Sequence, residues 1–114
     1  MLKFDTKAAI YLRTGATDMR KSINGLSAIV ANDMELDPFG SGYFVFCNKS
    51  RHLMKIIYWD RTGFALWYKR LEKNKFPWPM QEKDVRQITL KQMEWLLDGI
   101  DFFKAHKRLQ FSAV

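Results

Sequence analysis

The sequence predicts one α+β domain, with a small, mainly antiparallel sheet of about four strands and two main helices. Three observations carry this. Short runs rich in valine, isoleucine and aromatics, separated by turn residues, recur between Tyr43 and Arg70. Two other segments, Met19 to Asn32 and Leu90 to Asp98, repeat apolar residues at helical spacing. The chain, residues 1–114, has the size of one domain that can bury a real core, and 47% hydrophobic with 27% charged residues is a globular composition.

Ala8 to Leu12 is a short apolar run that reads as a strand, broken by Arg13-Thr14-Gly15-Ala16. Thr17 or Asp18 then caps a helix from Met19 to about Asn32, whose buried stripe is Ile23, Leu26, Ile29 and Val30. Gly25 weakens that helix and is expected to admit a close neighbour. Asp37 to Gly42 is a turn-rich connection, and Tyr43 to Cys47 is a second strand. Asn48 to Arg51 is a polar turn before two further strands, Leu53 to Trp59 and Phe64 to Arg70.

If Asp60 to Gly63 form a four-residue turn, Trp59 faces Phe64, Ile57 faces Leu66 and Lys55 faces Tyr68. Those six share one face. Met54, Ile56, Tyr58, Ala65, Trp67 and Lys69 share the other. A bulge at Gly63 would change the assignment. Val85 to Ile88 can form a short strand, Thr89 caps the second helix, and Gly99 ends it. The basic tail from Lys104 to Val114 is weakly periodic.

The net charge is +7, and its placement is uneven. Between Lys49 and Lys75 there are eight Lys/Arg against Asp60 and Glu72 alone, so this span carries +6 of it. A field of one sign in one region favours an anionic partner, most commonly nucleic acid. Lys55, Arg61, Lys69, Arg70, Lys73 and Lys75 are the candidate DNA-backbone contacts. A continuous surface strip of these cations would support that role. Arg20 and Lys21 make a second patch at the start of the first helix. The aromatics of the span are either stacking surfaces or core. Trp67, and Trp78 between Pro77 and Pro79, are the two most expected at a contact surface.

Other chemistry is poorly supported. The acids show no spacing that singles out a metal site, and the histidines, His52 and His106, have no nucleophile beside them in sequence. There is no Walker loop and no Gly-x-Gly-x-x-Gly fingerprint. No cofactor, metal or catalytic residue is therefore expected. The lone Cys47, the absence of a signal-peptide core after Met1 and the lack of a long apolar run lead to the expectation of a cytoplasmic protein with no membrane contact.

Several of these segments together resemble one family. They are Thr17-Asp18-Met19-Arg20-Lys21 with Gly25-Leu26, Asp37-Pro38, and Ser41 to Phe46. Leu53 to Asp60, Gly63-Phe64, Leu66 to Glu72, Phe76 to Pro79 and Trp95 to Ile100 follow in the same order. From Ala8 to Asp101 the chain is similar to the small TnpB-type accessory proteins encoded by the second reading frame of the insertion sequence sixty-six transposons. Cys47 and Asn48 depart from the pattern, standing where a basic residue is expected, and the tail past Phe102 matches nothing in it.

The resemblance implies a non-catalytic accessory factor in DNA transposition. Its expected partners are DNA at the transposon ends, the transposase and another small transposon-encoded protein. A protein-interaction adaptor of the transposase without DNA contact is the alternative, and a metal-dependent nuclease is a remote one.

Overall fold

The computed structural model describes residues 2–81 and 85–103. Its elements are β1 (Ile10–Arg13), α1 (Ile23–Asn32), β2 (Tyr43–Cys47), β3 (Leu53–Asp60), β4 (Gly63–Arg70), β5 (Val85–Ile88) and α2 (Leu90–Leu97). The strands form one sheet in the order β4-β3-β2-β1-β5. Every neighbouring pair is antiparallel except β1 with β2. That pair is parallel because α1 carries the chain back between them, the crossover that parallel strands require.

The α+β class with a mainly antiparallel sheet and two helices is what the sequence predicts. The sheet has five strands rather than about four. The fifth is Val85–Ile88, the segment that the sequence offers as a short strand, and it pairs along β1 from Ile10↔Ile88 to Arg13↔Val85. Four residues with Arg86 and Gln87 between two apolar ends carry little periodic signal. The open flank of β1 supplies the partner that makes them a strand.

Both faces of the sheet are covered, which is why all five residues of β2 are buried. On one face Ile10, Leu12, Val45, Met54 and Ile56 receive Met93, Leu96 and Leu97 of α2, together with Phe76 and Trp78. On the other, Phe44, Phe46 and Ile57 receive Leu26, Ile29 and Val30 of α1. Each such side chain contributes about 1.5–3 kcal/mol when fully buried. The β3–β4 register is the one expected, with Lys55↔Tyr68, Ile57↔Leu66 and Trp59↔Phe64, and no bulge shifts it.

The helix starts differ in how local their signals are. Thr89 caps α2 in a reciprocal box: its Oγ1 accepts from Gln92 N at 3.1 Å, and its N–H donates to Gln92 Oε1 at 2.9 Å. Gly99, at φ +76°, ends that helix in the left-handed region as expected. By contrast, α1 begins at Ile23, not Met19, so neither Thr17 nor Asp18 caps it. The carbonyls of Met19 and Lys21 accept from Lys55 Nζ at 2.7 and 3.0 Å, which turns the backbone of that stretch toward β3. A Cβ at Gly25 would meet the Lys21 side chain one turn earlier, at 3.2 Å from its Cβ, rather than a neighbouring element.

Cys47 is fully buried, and burial pushes its thiol up to about 12. Its ordinary value in an unfolded chain is 9.0. Between those values the unfolded state releases a proton that the folded state keeps, so stability must fall as pH rises through the window. We expect urea midpoints measured from pH 8 to 11 to fall less steeply in Cys47→Ala than in the wild type. Thiol reagents at pH 8 should react with wild-type Cys47 only on unfolding.

Candidate nucleic-acid interface

The sheet end where β3 begins and β4 finishes gathers Lys49, Arg51, Arg70, Lys73 and Lys75, five of the eight Lys/Arg of the Lys49–Lys75 span. Leu53 pairs with Arg70 there. The chain beyond β4 is tied back to the β2–β3 turn: Leu71 N–H donates to His52 O at 2.8 Å and Phe76 N–H to Arg51 O at 2.7 Å. Asn48 shapes the turn, its Oδ1 accepting from the N–H of His52 at 3.0 Å and of Leu53 at 3.1 Å. Arg51 and Asn74 take the left-handed conformation, at φ 61° and 67°. Lys49, Arg70, Lys73 and Lys75 are thereby exposed at one end, beside the half-buried Arg51.

The loop before α1 joins the same end. Thr17 N–H donates to the carbonyl of Cys47, the last residue of β2, at 2.8 Å. Lys55 holds the next turn through its bonds to Met19 and Lys21. Arg20 and Lys21, which in sequence make a separate patch, are brought by these ties to the cations of the β2–β3 turn and the β4 end. Lys55 itself, expected to face phosphate, is instead partly buried as the post that anchors the loop.

The remaining candidates lie elsewhere. Arg61 is in the turn at the opposite end of the hairpin, about 25–30 Å from Arg70 by strand rise. Lys69 is opposite Met54, on the face that packs against α2. The cations of the Lys55–Lys75 span therefore form no continuous strip. They divide between a basic sheet end, a hairpin tip and a second face.

Trp67 is half-buried against the α2-side core. Trp78 corrects the expectation of a surface aromatic, since it is only 5% exposed. Its Nε1 donates to Arg13 O at 3.2 Å and Gly15 O at 2.9 Å, and the neighbouring Pro79 O accepts from Gly15 N–H at 2.9 Å. The two flanking prolines keep the segment extended, and an extended segment laid on the sheet puts the indole in the core.

Between the two loops at the basic end lies an open cleft of about 810 Å³. Residues 16–20 line one part of it, Asn48, Lys49 and Ser50 another, and Leu53 and Tyr68 complete it. The Asp18 carboxylate accepts from Arg20 N, Nε and Nη2 at 2.9, 3.1 and 2.7 Å. Those bonds hold Asp18 down to about 2, so it stays ionised beside Arg20. Arg70 Nε likewise donates to Glu72 Oε1 at 3.0 Å. Lys49 and Arg51 belong to this end but not to the contact set expected from sequence, and Tyr68, one of the aromatics that the sequence leaves between stacking surface and core, is exposed here. The signal that could have found the two cations is their place in the turn between two paired strands.

Among the described residues, no three His, Cys, Asp or Glu side chains come together as metal ligands. No helix among them is long and apolar enough to cross a membrane. The tail from Lys104, including His106, lies outside the described residues.

No solved structure matches the chain. Two relatives from Sinorhizobium fredii (strain NBRC 101917 / NGR234) do, both uncharacterized proteins. One, y4hO, is 35% identical over 90% of this chain and 89% of its own length. The other, y4jC, is 30% identical over 87% of this chain and 85% of its own. A family model described as IS66 Orf2 like protein matches residues 8–107. That span includes the sheet, both helices and the basic end, and the chain belongs to the IS66 Orf2-like family, whose role is an accessory one in insertion-sequence transposition.

Proposed function

We propose that this protein is a non-catalytic accessory factor in transposition that binds nucleic acid through the basic end of its sheet. The observation that carries the reading is the convergence of Arg20, Lys21, Lys49, Arg70, Lys73 and Lys75, which come from three separate chain segments. Their charge is exposed and only partly offset by Asp18 and Glu72. Cations so grouped exchange condensed counterions for phosphate, which makes affinity fall linearly with salt on logarithmic axes.

The test is a salt titration of binding to DNA carrying the element's ends. Lys49→Ala with Lys73→Ala should reduce the slope by about 2, whereas Arg61→Ala at the far tip should leave it unchanged. Equal effects of the two would sink this placement of the site. Asp18→Asn should raise affinity severalfold, because it keeps an acceptor for the Arg20 N–H but frees the guanidinium from its carboxylate. Unchanged affinity in that variant would mean that Arg20 contacts no phosphate.

A specific observation favours a protein partner as well, at the other end of the hairpin. Phe39 (61% exposed) packs on Trp59 and Phe64 with ring centroids 5.3 and 5.2 Å away, and Leu66 (37% exposed) is the next residue on that face. Exposed apolar clusters of this kind mark interaction sites. The transposase is the partner this reading assigns. Phe39→Ser with Leu66→Ser should abolish its co-purification while leaving DNA affinity intact; retained co-purification would exclude the patch.

A further inference from the structure

We propose that the cleft at the basic end takes an unpaired nucleotide, with Tyr68 as its stacking ring, so that the protein prefers single-stranded over duplex nucleic acid. This rests on the nucleic-acid reading above and deepens it. The cleft is open to solvent, and its volume of about 810 Å³ leaves room for a nucleotide laid against its wall. Ala16, Met19, Leu53 and Tyr68 give it apolar surface, and Lys49 stands in its lining with Arg20, whose guanidinium is paired with the Asp18 carboxylate there. Arg70 follows two residues after Tyr68 on the same strand face. An apolar cleft with cations on its flanks matches a base between its phosphates.

Tyr68 is the one exposed Phe, Tyr or Trp at this end among the described residues, at 49%. Its neighbour is ordered: Lys55 Nζ stands 5.9 Å from the ring centroid and is itself fixed by two backbone carbonyls. A ring beside such a post needs little rearrangement to receive a base. In a duplex the bases are already stacked and cannot enter. Reading a duplex in its major groove takes a helix or β-ribbon that projects into it. The described chain at this end offers turns, the coil after β4 and the ends of β3 and β4, which stay within the sheet, while α1 lies flat on it.

The polar side chains of the cleft are largely engaged within the protein: Thr17 Oγ1 accepts from Arg13, Asp18 from Arg20, and Ser50 Oγ bonds His52 Nδ1. The Asn48 amide accepts two backbone N–H groups and donates to Ser50 Oγ at 3.0 Å, so it is spent on the turn. Stacking without edge contacts tolerates every base, and weak sequence preference follows.

The experiment measures fluorescence anisotropy of a labelled strand of about 16 nucleotides, alone and as its duplex, at one salt concentration. The single strand should bind about tenfold tighter or better. Tyr68→Ala should weaken single-strand binding by about five- to hundredfold, leave duplex binding unchanged, and be rescued by Tyr68→Phe. Should the alanine variant unfold, Tyr68→Leu keeps apolar bulk without a ring and should lose the preference in the same way. Equal or tighter duplex binding, or a ring deletion that weakens both forms alike, overturns the inference while leaving the basic-end reading in place. Binding to neither form overturns both.

Discussion

Trp78→Ala should lower the free energy of unfolding by about 3–5 kcal/mol, the range for removing a buried tryptophan. The indole packs with Phe76 among Ile10, Leu12 and Ile88, where α2 meets the sheet. Its removal opens a cavity there and leaves the carbonyls of Arg13 and Gly15 without their donor. Those carbonyls belong to the last residue of β1 and the chain just past it, which leads to the Arg20–Lys21 turn, so the loss reaches the basic end as well. A domain of this size has about 5–15 kcal/mol in total, and the variant will be marginal at 37 °C.

Trp78→Phe separates the two contributions. It restores much of the volume but not the N–H, and should cost about 1–3 kcal/mol. Trp67→Ala, at a half-buried site on the edge strand, should cost less than Trp78→Ala. Urea unfolding followed by circular dichroism measures all three. A change under about 1 kcal/mol for Trp78→Ala would mean that the indole is not held in the core.

The second large effect is expected from Lys55. Lys55→Met keeps the aliphatic stem and removes the ammonium that spans from β3 to the 17–21 turn. Hydrogen bonds from a charged donor contribute about 1.5–3 kcal/mol each, and partial exposure discounts the pair, so a loss of about 2 kcal/mol is expected. The functional loss should be disproportionate. Lys55 touches no phosphate in our reading, yet releasing the turn it holds disperses Arg20 and Lys21. The salt slope should therefore fall by about 1–2, although the variant loses no phosphate contact of its own.

Amide hydrogen exchange should quicken across residues 17–22 and not in α2. Lys73→Ala is the contrast, with a slope loss of about 1 and unchanged stability. If Lys55→Met changed the slope without changing exchange in that turn, Lys55 would itself be a phosphate contact.

These two residues also show where sequence reasoning reaches its limit. The hairpin was legible to the residue, because period-two alternation and a short turn leave one register that keeps Ile57 with Leu66 and Met54 with Lys69. The second helix was legible from Thr89 to Gly99, since a capping box and a left-handed glycine act within one turn of their own position. The start of α1 was not legible. Asp18 looks like a cap, but it spends its carboxylate on Arg20, while the carbonyls beyond it answer to a lysine 36 and 34 residues away.

Trp78 failed for the same kind of reason. Two prolines mark an extended segment but do not say what it lies upon. Only the folded sheet and α2 supply the buried cluster that holds the indole, and the chain at the end of β1 supplies the Arg13 and Gly15 carbonyls.

By itself the sequence determined the class of the fold, the hairpin register, the second helix and the size of the positive charge, because these depend on local periodicity, turn chemistry and composition. It also carried the family. Tertiary structure alone decided where that charge stands. Strand pairing set Lys69 on one face and Arg70 on the other and carried Arg61 to the far tip. The ties of Thr17 and Lys55 brought Arg20 and Lys21 to Lys49 and Lys73. Charge is a property of residues, but a binding surface is a property of distances, and those distances are closed here by hydrogen bonds between segments far apart in the chain.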